Sequence, residues 1–230
     1  MVAISSHKIK AQDTLSLKKV WETIDVNSCP RFYNFHMHTV FSDGKLTPSQ
    51  LIQQAMDIGI KGLAITDHHS VGGYEKAQQH LNDLRQRDQL DRNFHLWTGV
   101  EITSKLQDVE VHILGYGFAP EHPALKKYLR GNSPQGKDAE AKQVINSLHQ
   151  AGGLVVLAHP ARYRRPAAKL IPLAANLGVD GVETYYAYNN PQPWKPSPVQ
   201  TKQVKQLASQ YDLYQTCGTD THGLDLLRRM

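Results

Sequence analysis

The chain has 230 residues, 40% of them hydrophobic and 20% charged, with a net charge of +5. That length suits one large domain or two small ones, and the apolar share is that of a packed core. The mild basic balance favours small anionic ligands and is too weak to demand nucleic acid.

Residues 1–30 are polar and predict an N-terminal arm. A short helix around Leu15–Ile24 would share the face Leu17, Val20, Trp21, Ile24. Lys8 and Lys10 are not followed by an apolar core, so no signal peptide is expected, and no apolar run approaches the ~18 residues of a membrane span. After the arm, strand-like and helix-like runs alternate. The strand-like runs are Phe32–His36, Gly62–Thr66, Phe94–Ile102, Val109–Phe118, Leu154–His159, Gly181–Thr184 and Leu213–Gly218. The helix-like runs are Pro48–Ile58, Tyr74–Arg87, Pro123–Leu129, Ala139–Ala151, Pro166–Leu177 and Pro198–Gln210. Thr47 before Pro48 is a helix start, and Gly59 and Gly178 are helix stops. Alternation of this kind predicts a parallel α/β sheet or barrel. Only six residues separate Ile102 from Val109, too few for a crossover helix, so these two runs form a hairpin or an unusually tight link. Two loops stand out: Gly131–Lys137, expected to be mobile, and the Pro-rich Asn189–Pro198, which carries Trp194. Cys29 and Cys217 form no disulfide framework and are expected as free thiols in a reducing cytoplasm.

Nine potential metal ligands fall at the ends of these apolar runs: His36, His38, Asp43, His68, Glu101, His112, His159, Asp220 and His222. Ends of neighbouring strands converge in space, so distant residues can meet in one pocket. His36 and His38, like Asp220 and His222, are spaced i, i+2 and would face the same side of a strand. Asp67 follows four small or apolar residues and either binds metal or orients a ligand from behind it, the second being preferred; His69 is placed in the same outer role or facing solvent. Glu101 between Val100 and Ile102 would alone be read as an exposed edge residue. Imidazole and carboxylate together suit Zn, Mn or Fe, and nine ligands are too many for one tetrahedral ion, so two or three divalent ions are expected. Centres of several such ions mostly hydrolyse phosphate esters or amides, and for a phosphate ester Arg162 is the candidate clamp, with a solvated surface arginine as the alternative. His222 or His69 would protonate the leaving oxygen, and Trp194 would offer a stacking surface. Tyr185, Tyr186 and Tyr188 are read as packing residues first.

The stretches HMHTVFSDG, ITDHHS, GVEIT, VHILGYG, LAHPAR and GTDTHG, in that order, resemble the PHP family, named for polymerase and histidinol phosphatase. The resemblance covers roughly residues 32–225. It implies a distorted (β/α)7 barrel over residues 31–230, with a short helical insertion at about 119–152. It also implies a metal-dependent phosphoesterase. One ion would be held by His36, His38, Glu101 and Asp220. A second would share Glu101 and add His112 and His159. A third would use Asp43, His68 and His222. Stand-alone relatives usually read TDHD where this chain has His68-His69, and carry a longer insertion. The expected substrate is a small phosphorylated molecule, a nucleotide or short RNA or DNA, with no membrane and no obligate protein partner. A histidinol-phosphate phosphatase, a non-catalytic metal-binding module and an amide hydrolase are the alternatives.

Overall fold

The structure is a computed structural model that describes residues 14–89 and 94–230. The first thirteen residues of the expected arm therefore lie outside the described residues. Its second half is helix α1 (Thr14–Trp21), whose Leu17 and Trp21 are buried. Trp21 stands edge-on to Phe35 and Tyr116, so the arm is packed on the rest of the chain.

The strands follow the apolar runs, shortened at their ends. They are β1 (Tyr33–Asn34), β2 (Gly62–Ala64), β3 (His95–Trp97), β4 (Gly99–Leu106), β5 (Val109–Tyr116), β6 (Leu154–Leu157), β7 (Gly181–Tyr185) and β8 (Tyr214–Cys217). The helices after α1 are α2 (Pro48–Ile58), α3 (Gly72–Gln86), α4 (Ala141–Gln150), α5 (Ala167–Asn176) and α6 (Pro198–Gln210). Helix α2 starts where its sequence says it should. The Thr47 hydroxyl accepts from the Gln50 N–H, the Gln50 side chain accepts from the Thr47 N–H, and Gly59 closes the helix at φ 84°.

The strands form two sheets, not one closed seven-stranded barrel. The first is parallel, ordered β1-β2-β3; the second is ordered β4-β5-β6-β7-β8. Single bridges, Met37 to Thr221 and His68 to Glu101, span the gaps between them. The run Phe94–Ile102 splits at Thr98, with β3 in one sheet and β4 in the other. Gly99 permits the switch, because a Cβ there would lie 2.3 Å from the Ile65 carbonyl oxygen. β4 and β5 are an antiparallel hairpin closing at Leu106 and Val109, as the six-residue gap requires. β5 and β6 are also antiparallel, and only β6-β7-β8 continue in parallel. Three buried clusters lie between sheets and helices, the largest around Ile113, Val144, Leu170 and Val182.

The insertion departs from expectation twice. The helix expected over Pro123–Leu129 is one 3-10 turn, Pro123–Leu125. The Gly131–Lys137 link, expected to be mobile, is tied down: the Gly131 N–H donates to the His69 carbonyl at 2.9 Å and the Ser133 hydroxyl meets His69 Nε2 at 3.2 Å.

Cys29 and Cys217, expected as free thiols, form a disulfide across 188 residues, with Cα atoms 5.9 Å apart. The fold creates this proximity. Cys217 ends β8, its carbonyl accepts the Phe35 N–H at 3.1 Å, and Cys29 lies in the turn before β1. With both cysteines bonded, cysteine usage gives no support to a reducing cytoplasm. Among the described residues no helix is long and apolar enough to cross a membrane.

Candidate metal centre

Beyond β1 the chain stays extended, and the His38 N–H and Asp220 N–H bind the Thr221 and His36 carbonyls at 3.0 and 2.8 Å. This lays His36-Met37-His38 beside Asp220-Thr221-His222. Gly218 makes the approach possible, since a Cβ there would sit 2.2 Å from the His36 Cβ. On the other flank, the His68–Glu101 bridge brings in the β4 carboxylate. All nine candidate ligands converge. Their donor atoms fall into three overlapping groups: His36, His38, Glu101 and Asp220; His68, Glu101 and His112; and His38, Asp43, His68 and His222. His159 joins the second through Nε2, 3.3 Å from Glu101 Oε1. The structure thus places His68 and His38 in two groups each, where each was expected in one.

Glu101 is the hub. His36 Nε2, His38 Nε2 and His68 Nε2 lie 3.0, 3.1 and 3.6 Å from its Oε2, and His112 Nδ1 lies 2.7 Å from its Oε1. Asp220 Oδ1 stands 3.3 and 3.2 Å from the same His36 and His38 nitrogens. Donors held about 2.1 Å from one tetrahedral cation would be roughly 3.4 Å from each other, and these distances fit that arrangement. The buried nitrogens His38 Nε2, His159 Nδ1 and His159 Nε2 have no hydrogen-bond partner, which is costly unless something else satisfies them. The inner group is closed off, with His36, His38, Glu101 and Asp220 at most 1% exposed. The outer group opens on a cavity of about 550 Å³, lined by Phe41, Asp43, His68, His69 and His112 among others.

The electrostatics suit a cation. Burial opposes charge on Glu101, but the adjacent His36 and His112 prevail and hold its carboxyl well below the usual carboxylate range. Asp220 strikes the same balance through His36 and His38. Burial pulls the His36 and His38 rings down, yet the two carboxylates override it, lifting His36 well above its ordinary value and His38 to about 9. Asp43 is held low chiefly by its hydrogen bond from His222. At His68 and His69 burial wins, and both fall to about 4. A cation needs neutral imidazoles, and His38 is protonated at pH 7. Metal uptake there is therefore expected to release protons, with affinity rising as pH climbs toward 9. Calorimetry in two buffers of different ionisation enthalpy reads this directly; identical heats would contradict it.

Several partners were not singled out in the sequence. Glu183 Oε1 lies 3.0 Å from His36 Nδ1 and its Oε2 accepts the His159 N–H at 2.8 Å. It fixes His36 with Nδ1–H outward, leaving Nε2 for the centre. The signal was available: Val182-Glu183-Thr184 repeats the buried-carboxylate pattern of Val100-Glu101-Ile102. Asp220 Oδ2 accepts from the Tyr186 hydroxyl at 2.6 Å, Arg229 Nε at 2.8 Å and Arg162 Nη1 at 3.3 Å. Arg229 had no sequence signal. Glu183→Gln is expected to weaken metal affinity about 10–100-fold, the usual cost of losing an outer partner of a ligating histidine. Equilibrium metal titration checks it, and wild-type affinity would remove Glu183 from this role.

Asp67 sits behind the ligands as preferred, but it holds a turn instead of an imidazole. It accepts from the Thr39 N–H, the Thr39 hydroxyl and the Ser42 hydroxyl at 2.7, 2.7 and 2.8 Å. His69, considered for the solvent face, is 3% exposed. Trp194 is not brought to the centre: it is 7% exposed, packed in the cluster with Trp21 and Phe35, and borders a separate cavity with Pro30 and Phe32. The loop lies against the core at this point, where the indole escapes water. Three residues around the centre hold backbone conformations that side chains seldom adopt, His69 at φ 52°, His159 at 26° and Asp220 at 53°.

The chain is similar in sequence and fold to several known proteins. The chain is 30% identical over 156 residues to the 5'-3' exoribonuclease Rnm of Salmonella typhimurium, covering 62% of this chain and 51% of that protein. It is 33% identical over 119 residues to the 3',5'-nucleoside bisphosphate phosphatase of Chromobacterium violaceum, covering 52% and 39%. In these matches the chain spans about half or less of the relative's length. Among solved structures, a candidate metal-dependent phosphoesterase of Bifidobacterium adolescentis superposes with a TM-score of 0.67 at 24% identity, over 84% of this chain and 88% of the other, a likeness of fold. The model of the PHP domain matches residues 34–169. That is more than half of the chain, and it runs through seven of the nine converging ligands, so this protein belongs to the PHP domain family.

Proposed function

We propose that this chain is a metal-dependent phosphoric ester hydrolase acting on nucleotides or short oligonucleotides. The observation that carries the reading is Glu101: five imidazoles, His36, His38, His68, His112 and His159, lie 2.7–3.6 Å from one buried carboxylate. So many nitrogens beside one anion is a cation site of N/O donors, suited to Zn, Mn or Fe, and three overlapping groups accommodate two or three ions. Divalent ions held there supply Lewis-acid charge for the phosphate oxygens and make water nucleophilic near neutral pH. The names of the nearby relatives, an exoribonuclease and a nucleoside bisphosphate phosphatase, favour nucleotide-like substrates.

The chain's own groups would do the rest. Asp43, His68 and His112 present the outer donors to the cavity, so substrate enters on that side. Arg162, 44% exposed and tethered to Asp220 through Nη1, leaves its remaining donors to clamp a phosphate. His222 donates from Nδ1 to the Asp220 carbonyl at 2.7 Å and aims Nε2 at Asp43. This supports His222 as a ligand over His222 as proton donor. His69, held near 4, is neutral at pH 7 and a poor acid there.

Turnover of an aryl phosphate with and without added Mn²⁺, then of a nucleoside monophosphate, a short single strand and histidinol phosphate, tests the reading. Metal-stimulated turnover of the nucleotides supports it. Less than one ion per chain together with no turnover would overturn it, and a clear preference for histidinol phosphate would move the substrate class. Arg162→Ala is expected to raise KM more than it lowers kcat, the signature of lost uniform binding. Unchanged constants would return Arg162 to the surface.

A further inference from the structure

The cavity at the metal centre has a neighbour. A second cavity of about 670 Å³ runs between β4, the Ser133–Gly136 stretch and Arg164. The two share two lining residues, Thr103 and Ser133. Both are held by His69. Its Nε2 lies 3.1 Å from the Thr103 hydroxyl, 3.4 Å from the Thr103 N–H and 3.2 Å from the Ser133 hydroxyl. The His69 backbone is fastened as firmly. Its N–H donates to the Glu101 carbonyl at 3.0 Å and its carbonyl accepts from Gly131 at 2.9 Å. The residue keeps a left-handed φ of 52° to do so. Toward the nine candidate ligands its contacts are that backbone bond to Glu101 and the ring of His68, stacked with centroids 6.2 Å apart.

We propose that His69, with Thr103 and Ser133, is the partition that sets how large a leaving group the metal-centre cavity admits. His69 is thus a specificity-determining residue of the site. The inference rests on the phosphoesterase reading for its substrates, but the wall itself is a matter of geometry. With the partition in place, a leaving group beyond one nucleoside in size meets the His69 ring and the two hydroxyls, so a short oligonucleotide turns over more slowly than a mononucleotide without being excluded. With the partition removed, the two cavities join. The longer ligand then reaches a space lined by Lys105, Lys137 and Arg164, which offer cations to its next phosphate, in equal number with the carboxylates Asp108, Glu110 and Glu140.

The test compares adenosine 5'-monophosphate with the 5'-phosphorylated dinucleotide pApA on the Mn²⁺-loaded protein. His69→Ala is expected to raise kcat/KM for pApA relative to the monophosphate by about tenfold, the low end of what a change in pocket shape delivers. Ser133→Ala should move the ratio part of the way. Metal content should hold in both. His69→Asn, which tolerates the left-handed backbone and keeps a polar group, covers the case in which the alanine variant fails to fold. An unmoved ratio in a folded, metal-loaded variant overturns the proposal, and so does loss of metal in step with both activities. Should the wild type turn over neither compound, the phosphoesterase reading fails separately. The partition is then read by calorimetric Kd for the same two compounds, where an unshifted ratio overturns it.

Discussion

Glu101→Gln is expected to strip most bound metal and to lower kcat/KM by more than about 100-fold, beyond what loss of an outer-sphere partner costs. The reason is its place. One oxygen faces His36, His38 and His68 and the other faces His112 and His159, so the carboxylate belongs to two of the three donor groups at once. Glutamine keeps the volume and removes the charge, which separates electrostatics from packing. Alanine adds a second cost. It would take from His112 its carboxylate partner and from His36 one of three, Glu183 and Asp220 remaining, and removing one member of a buried ion pair destabilises by about 3–5 kcal/mol. Elemental analysis of the purified variant decides the matter. A full complement of metal in Glu101→Gln would show that the carboxylate is not shared.

Cys217→Ser is expected to destabilise the fold by about 2–5 kcal/mol, toward the upper end because the bridge closes a very long loop. The bridge joins the turn before β1 to the end of β8, residues 188 apart, and both sulfurs are buried, with Cys29 5% and Cys217 0% exposed. Denaturant unfolding of the wild type with and without reductant should reproduce the difference between wild type and variant. A titration that finds two free thiols in the native protein, with a midpoint indifferent to reductant, would show the bond does not form in solution.

Where physics is local, the sequence was legible. Pro48 after Thr47, Gly59 at the helix end and the i, i+2 pair His36 and His38 each announce themselves within a few residues, and the structure caps α2 with the first two and brings both imidazoles into one donor group, whereas His112, expected at a strand end, lies inside β5. The β4–β5 hairpin was legible too, because a six-residue gap forbids a crossover. What escaped depends on residues far apart in the chain. No spacing predicts that Cys29 meets Cys217, or that Arg229 reaches Asp220. Two sheets replaced one barrel because Gly99 lets the chain change partners in the middle of one apolar run, and periodicity cannot register that change. Trp194 misled by composition: a Pro-rich loop suggested an exposed rim, but the indole is core. Of the two readings for His69, the solvent-facing one fails because its ring is buried against Thr103 and Ser133, contacts that sequence spacing does not foretell.

The left-handed backbones of His69, His159 and Asp220 set a hazard for laboratory evolution. Each such residue carries about 1–3 kcal/mol of strain that the surrounding fold must absorb. Glycine at any of these positions would relax the chain. At Asp220 that relief is outweighed, because glycine would take a buried carboxylate from His36, His38 and Arg229. His69 supplies no candidate ligand, so a library selected only for heat resistance or soluble yield would collect substitutions there first and change the lining of the cavity while the donors stay in place.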